Sequence, residues 1–351
     1  MKNIIVDFSD YNKICGFGEI ARNYSSHLAA IRDSQLHFLF ILPKEYHGIF
    51  GSHIDYISSH NIKKDILRYN QQIDLWHSIH QQFRYRHHKK GTIQLLTIHD
   101  LNYLYEKHGL HLLRHQIQMP WRIKRSDYIT TISDFVKKEI IQNIPFLNKE
   151  PIVIYNGIKA IEKIPQQKPS FIKNENDKFF LCIGQVREKK NIHTVVRMMQ
   201  FLPSFHLYIC GDNHWAYTKK IQALILPEDK DRIVMTGMIN DNEKSWLYSH
   251  AEALFFPSKH EGFGIPVLEA MRFGTKVFSS RFSCLPEVCK EHASYWDSFN
   301  PKEMARIVDC ELSKWNRNSK LARDAFAYSS SFNYERYTYE YVQLYKRILN
   351  V

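Results

Sequence analysis

The chain has 351 residues, 44% apolar and 24% charged, which excludes a disordered or fibrous protein and leaves room for two domains with their own cores. Its formal net charge of +12 calls for an anionic partner, such as a nucleotide sugar, a lipid phosphate, an anionic membrane or nucleic acid. No apolar run approaches the roughly 18 residues of a membrane span, and the six cysteines form no CxxC pair, which points to reduced thiols in a cytoplasmic protein.

Strand-like runs alternate with helical ones along the whole chain, the pattern of parallel sheets wound with helices. The opening MKNIIVDFSD meets an aspartate after three apolar residues and reads as a first strand rather than a signal peptide. Further strands are expected at Leu36–Leu42, Leu75–Ile79, Ile93–His99, Tyr128–Ile132 and Ile152–Tyr155. A helix is expected over Gly18–Ile31, where Ile20, Tyr24, Leu28 and Ile31 recur at helical spacing. The polar, aperiodic stretch around 161–177 reads as a linker. Beyond it the alternation repeats, with strands at Phe179–Ile183, His206–Cys210, Ile233–Met238, Ala253–Phe256, Lys276–Ser279 and Ala293–Trp296. The expected domains are therefore 1–160 and 178–330, with 331–351 forming a terminal amphipathic helix. Two doubly wound domains would place a ligand cleft at the carboxyl ends of their strands.

Several segments carry chemistry. Phe8–Arg22 (FSDYNKICGFGEIAR) is a strand end followed by a glycine loop, in which Gly16 and Gly18 could offer backbone N–H groups to a phosphate; a plain strand-to-helix loop is the simpler reading. His99 ends a strand in LLTIHD, with Asp100 placed to cap a helix start after it. Ser133–Asp134 signals a helix start and Asn156–Gly157 a turn. Ile183–Asn191 (IGQVREKKN) comes after the first strand of the second half and crowds Arg187, Lys189 and Lys190. The most specific stretch is His260–Phe273 (HEGFGIPVLEAMRF). Here a strand leads into Glu261, then Gly262, Phe263 and Gly264, then a helix from Ile265 with Pro266 in its first turn. Free N–H groups and the positive dipole end of that helix favour an anion. Glu269 lies about one turn into the helix, so both glutamates could face one cleft.

This string resembles the E-x7-E signature of the retaining glycosyltransferases grouped as family 4, which have the two-domain GT-B fold. The resemblance runs through the chain as an ordered series: the glycine loop at Gly16–Gly18, T-I-H-D, the segment at Ile132, I-Y-N-G, Lys190–Asn191, Thr236–Gly237 and Leu285–Pro286–Glu287. It implies an α/β protein of two Rossmann-like domains facing each other across a cleft, with the terminal helix crossing back to the first domain. It also implies retaining hexosyl transfer from a nucleotide-diphosphate sugar, with GDP-mannose favoured over a UDP-hexose, to a saccharide or lipid-linked acceptor in surface polysaccharide or lipopolysaccharide synthesis. The resemblance puts Glu261 and His99 beside the donor sugar, Glu269 on the ribose, and Lys190 with Arg187 or Gln185 on the diphosphate. Gly237 and Met238 would line the base, and Gly262, Phe263, Gly264 and Ile265 would present backbone N–H groups. Where the family carries an arginine this chain has Gln185, which brings no charge.

The basic and aromatic residues of Gln82–Lys90, with Arg114, Trp121, Arg122, Lys124 and Arg125, suit anionic headgroups at the inner face of the cytoplasmic membrane. No nucleic-acid motif accompanies the charge, so no nucleic-acid partner is expected. Other classes with testable signatures are a GT-B epimerase or phosphorylase, which would release sugar without an acceptor or depend on phosphate, and a nucleic-acid-binding protein, which would show steep salt dependence. Asp229-Lys230-Asp231 spells a D-x-D, but in a polar link far from the signature. No metal and no other cofactor is expected, so transfer should survive EDTA; complete loss restored by manganese would contradict this and the fold expectation together.

Overall fold

The computed structural model describes every residue of Met1–Val351 except 70, 83, 84, 86–89, 145 and 146, with only the backbone of Arg68. Most of the basic stretch Gln82–Lys90 therefore lies outside the described residues. The chain divides into two compact units, Met1–Lys159 with Asn333–Val351, and Ala160–Phe332.

The first unit runs β1 (Lys2–Asp7), α1 (Gly16–Ala30), β2 (Leu36–Leu42), β3 (Asp55–Ser58), α2 (Ile62–Arg68), β4 (Leu75–Ser78), β5 (Ile93–Ile98), α3 (Tyr103–Glu106), α4 (Gly109–Lys124), β6 (Tyr128–Thr131), α5 (Asp134–Asn143) and β7 (Ile152–Val153). Its strands form one parallel sheet in the order β3-β2-β1-β4-β5-β6-β7. Strands of a covered parallel sheet are buried on both faces, so they read as continuous apolar runs. In β1, Ile4 and Val6 enter the core cluster that includes Tyr24 and Leu28, whereas Ile5 enters the one with Ile41 and Trp76. Ser133 caps α5 by accepting from the Val136 N–H, as its position before the helix implies.

The second unit runs β8 (Phe179–Ile183), α6 (Ile192–Met198), β9 (His206–Cys210), α7 (Ala216–Gln222), β10 (Ile233–Gly237), α8 (Asp241–His250), β11 (Ala253–Phe256), α9 (Ile265–Arg272), β12 (Lys276–Ser280), α10 (Leu285–Cys289), β13 (Ser294–Trp296), α11 (Pro301–Leu312) and α12 (Lys320–Ser330). Its parallel sheet has the order β10-β9-β8-β11-β12-β13. The stretch 161–177, expected as a linker, belongs to this unit, because its Ile161 and Ile172 are buried. Each sheet reverses direction once, between β1 and β4 in the first and between β8 and β11 in the second. At such a reversal neighbouring loops leave in opposite directions and open a crevice at the strands' carboxyl ends.

The last helix, α13 (Tyr334–Leu349), returns to the first unit. Tyr337, Tyr341 and Tyr345 recur every fourth residue and are fully buried against α1 and the sheet. Buried hydroxyls need partners, and two of these have them. The Tyr345 hydroxyl lies 2.7 Å from both the Tyr24 hydroxyl and His77 Nδ1. The Tyr341 hydroxyl lies 2.8 Å from Thr97 Oγ1 and 3.0 Å from Thr130 Oγ1. Gly157 meets the start of this helix so closely that a Cβ there would lie 2.9 Å from Tyr334 Cα. Tyr345→Phe should leave Tyr24 and His77 short of a partner and cost about 1–3 kcal/mol; an unchanged urea midpoint would show that the network does not hold the helix.

Candidate nucleotide-sugar site

In the second unit the site begins at the end of β8. Gly184 has φ 133° and Gly211, after β9, has φ 139°. The Gly184 N–H donates to the Cys210 carbonyl at 2.9 Å, and a Cβ on Gly211 would lie 2.2 Å from the Gly184 carbonyl oxygen. Only glycine fits that approach. The chain then makes a 3₁₀ turn, Glu188–Lys190, and Asn191 closes it in the left-handed region at φ 55°. This turn carries the Lys190 ammonium to 2.6 Å from Glu261 Oε1 and over the Phe256 ring, 4.7 Å from its centre. A Cβ on Gly184 would come within 3.4 Å of the same Nζ.

Glu261 leaves the end of β11 on the other side of the sheet reversal. Its backbone N–H donates to Ser283 Oγ at 3.1 Å, which fixes the loop. Its side chain is only 11% exposed. Burial pushes its carboxyl up, but the nearby Lys190 and Lys189 outweigh that and hold it below the usual carboxylate range. The result is a buried charge pair in which an ammonium has further N–H groups to offer. Gly264 starts α9 at φ 97°, and a Cβ there would lie 2.9 Å from Leu285 Cδ2. Phe263 is buried, with its ring 5.8 Å from that of Phe332, so its side chain anchors the loop while its backbone continues into Ile265.

Glu269, expected one turn into the helix where it could face one cleft with Glu261, is buried. Its side chain is 2% exposed, Oε1 lies 2.9 Å from Lys244 Nζ, and Oε2 accepts from the Tyr248 hydroxyl at 3.0 Å. It sits on the inner face of α9, one turn in, and α8 closes over it. Lys244 and Tyr248 were missed because they lie far away in sequence; their own i, i+4 spacing on α8 is the only local signal. At the start of α8, Glu243 forms a capping box with Asn240.

The remaining expected residues of this unit have varied surroundings. Gln185 is exposed. The Arg187 guanidinium lies 4.4 Å over the Trp215 ring. Gly237 ends β10 at φ 76°, its carbonyl accepting from the Gly211 N–H at 2.7 Å, and Met238 beyond it is 58% exposed. Asp229 of the D-x-D pairs with Arg232 at 2.8 Å and Asp231 with Lys173 at 3.3 Å, so both serve local ion pairs. Both polar atoms of the fully buried Asn191 amide lack a hydrogen-bond partner among the described residues.

The first unit holds its own cluster at its sheet reversal. His99 is buried, and its Nε2–H donates to the Ile79 carbonyl at 2.8 Å. Phe17 lies edge-on to His99 at 5.1 Å and stacks on His80 at 4.6 Å. His80 Nδ1 accepts from the Gln82 N–H at 3.0 Å, and Nε2 faces Asp10 at 3.4 Å. Asp10 also pairs with Lys13 at 2.7 Å. A Cβ on Gly18 would lie 2.0 Å from the Lys13 carbonyl oxygen, so glycine is required there, whereas Gly16 has open space. Asp100 accepts from the Asn102 N–H at 3.1 Å, a turn-forming role. Asp10 and His80 were not expected; they are seventy residues apart, and no local motif joins them.

Two units built on single parallel sheets, with a charged pair at the second sheet's reversal, define a GT-B glycosyltransferase fold. Residues 163–327 match the family model described as Glycosyl transferases group 1. It is 31% identical to the O-antigen chain mannosyltransferase RfbU of Salmonella typhimurium over 58% of this chain and 56% of RfbU. It is 23% identical to the serotype-specific mannosyltransferase WbdA of Escherichia coli over 64% of this chain and 29% of WbdA. The chain thus spans less than two thirds of either relative's length. Among solved structures, sucrose-phosphate synthase from Thermosynechococcus elongatus matches all of both chains with a TM-score of 0.75 at 16% identity.

Burial lowers the pKa of His77 to about 3 and those of His80 and His99 to about 4, from the ordinary 6.5. Their folded values lie below their unfolded ones. Their contribution to stability is therefore complete above pH about 6.5 and is lost as pH falls towards about 4, as the unfolded chain takes up protons first. Each histidine should cost roughly 1.4 kcal/mol per pH unit within that window. The urea midpoint should fall between pH 7 and pH 5, and a flat profile would contradict the buried neutral histidines.

Proposed function

We propose that the protein is a retaining hexosyltransferase that takes mannose from GDP-mannose, with a UDP-hexose as the other candidate donor. The acceptor is a saccharide or lipid-linked saccharide of a surface polysaccharide, and the reaction is placed at the inner face of the cytoplasmic membrane. The observation that carries this reading is the Lys190–Glu261 pair at the sheet reversal, within the segment that matches the group 1 model. The printed activities of RfbU and WbdA support mannose and the O-antigen setting.

As the sugar bond breaks, negative charge gathers on the leaving diphosphate. A fixed ammonium and the N–H groups at the start of α9 lower the barrier by meeting that charge. Lys190 supplies the ammonium, and with Gln185 in place of an arginine it carries most of the charge. Glu261, kept ionised by Lys190, stands by the sugar, where positive character develops at the anomeric carbon. Glu269 takes the ribose hydroxyls by exchanging its bond to Lys244 or Tyr248. His99, neutral and held by Ile79, offers Nδ1 as an acceptor for a sugar hydroxyl. No metal takes part in this scheme; positioning and fixed charge carry the catalysis.

Lys190→Ala should cut transfer of labelled hexose by about a hundredfold or more, the scale of losing one transition-state donor. Gln185→Arg should keep or raise it. Glu269→Ala should weaken nucleotide binding about tenfold, the scale of one charged hydrogen bond, while Glu261→Ala should hit turnover harder than affinity. Circular dichroism keeps loss of fold apart from loss of function, since Lys190→Ala leaves a buried carboxylate unpaired. Near-normal turnover by a folded Lys190→Ala protein would remove the diphosphate from this place.

A further inference from the structure

Strand β12 ends in a loop that carries an exposed aromatic ring beside the candidate site. Phe282 is 47% exposed, although the Phe299 ring from the loop after β13 stacks on it at 5.6 Å and 19°. Phe299 in turn packs against the core of the second unit, so it backs Phe282 and leaves the other face of that ring to solvent. Arg281 and Asp297 form an exposed ion pair next to these two rings in the chain, and the Arg281 guanidinium lies 4.6 Å over the Tyr295 ring. The loop is tied to Glu261 on two sides. Ser283 Oγ accepts from the Glu261 N–H at 3.1 Å and donates to the Phe282 carbonyl at 2.7 Å. The Cys284 thiol donates to the Glu261 carbonyl at 3.2 Å. Ser283 holds φ 55°, a conformation that residues with side chains rarely adopt and that is kept where the surroundings impose it.

The place of this ring says what meets it. The transferase reading lays the donor along the carboxyl ends of the sheet β10-β9-β8-β11-β12-β13, with the base by Gly237 after β10, the diphosphate by Lys190 after β8 and the hexose by Glu261 after β11. The loop after β12 is next in that line, at the hexose end, where the acceptor has to arrive. A single exposed phenylalanine is ordinary on a protein surface, and one ring is far too small for a protein partner, which covers roughly 800 Å² on each side. It is the size of a sugar ring. A pyranose presents C–H groups on a face and hydroxyls around its rim. The C–H groups pack on the negative face of an aromatic ring, and the rim hydroxyls find donors and acceptors in a neighbouring Arg and Asp.

We propose that Phe282, backed by Phe299, is a stacking platform for a pyranose ring of the acceptor saccharide. This rests on the transferase reading and deepens it by giving the acceptor a binding residue in the second unit. The full chain, saturated with GDP, is titrated with mannotriose, maltotriose and chitotriose, and contact is read by saturation-transfer NMR. The wild type should pass saturation to the ring C–H protons of at least one trisaccharide. Phe282→Ala and Phe282→Leu should bind that trisaccharide about tenfold more weakly, while Phe282→Tyr, which keeps the ring, should bind it within about twofold of the wild type. The leucine variant keeps an apolar side chain against Phe299, so it preserves the test if the alanine variant loses its circular dichroism. No contact with any of the three trisaccharides, unchanged binding by the leucine variant, or equal weakening by the tyrosine variant would overturn the proposal. GDP affinity is measured on the same samples. Failure of the wild type to bind GDP would sink the transferase reading, whereas intact GDP binding without trisaccharide contact would sink the platform alone.

Discussion

In the second unit two chain turns touch at the ends of neighbouring strands, Gly184 after β8 and Gly211 after β9. Their backbones lie too close for any side chain on Gly211, and both residues hold φ values that side-chain-bearing residues rarely adopt. Because β8 ends in so tight a turn, the following 3₁₀ segment folds back towards the sheet reversal instead of running on. That return places Lys190 against Glu261. The ion pair is a consequence of backbone closeness, and the chemistry proposed for the protein depends on it.

The two units solve one problem with different charges. Each reverses its strand order once, and each gathers its polar side chains there. In the second unit the gathering is a cation and a carboxylate beside a glycine loop and a helix start. In the first it is Asp10, Lys13, His80 and His99 around Phe17, with both histidines held neutral by burial. A fixed ammonium suits a diphosphate, and neutral imidazoles suit hydroxyls.

What could be read from the sequence was what local physics encodes. The parallel strands appear as continuous apolar runs, so nearly all were found, and the amphipathic pattern of 331–351 announced α13. β3 escaped because it is a four-residue edge strand that begins with an aspartate. β7 shrank to Ile152–Val153 because it pairs on one side only. Lys190 and Glu261 could be named from their motifs, but their contact across 71 positions could not. Glu269 was placed one turn into its helix, but its partners Lys244 and Tyr248 were not foreseen, since they reach it only through packing of α8 on α9. The Asp10–His80 contact had no signal at all, because only the sheet reversal brings β1 and β4 together.

The central claim is that a nucleoside diphosphate sits where β8 and β11 diverge. Amide hydrogen exchange of the full chain, with and without saturating GDP, UDP or ADP, tests the place directly. Stronger protection by one of the three, concentrated in residues 184–191 and 261–269, is the result this account predicts. Protection confined to other segments, or none with any of the three nucleotides, would contradict it.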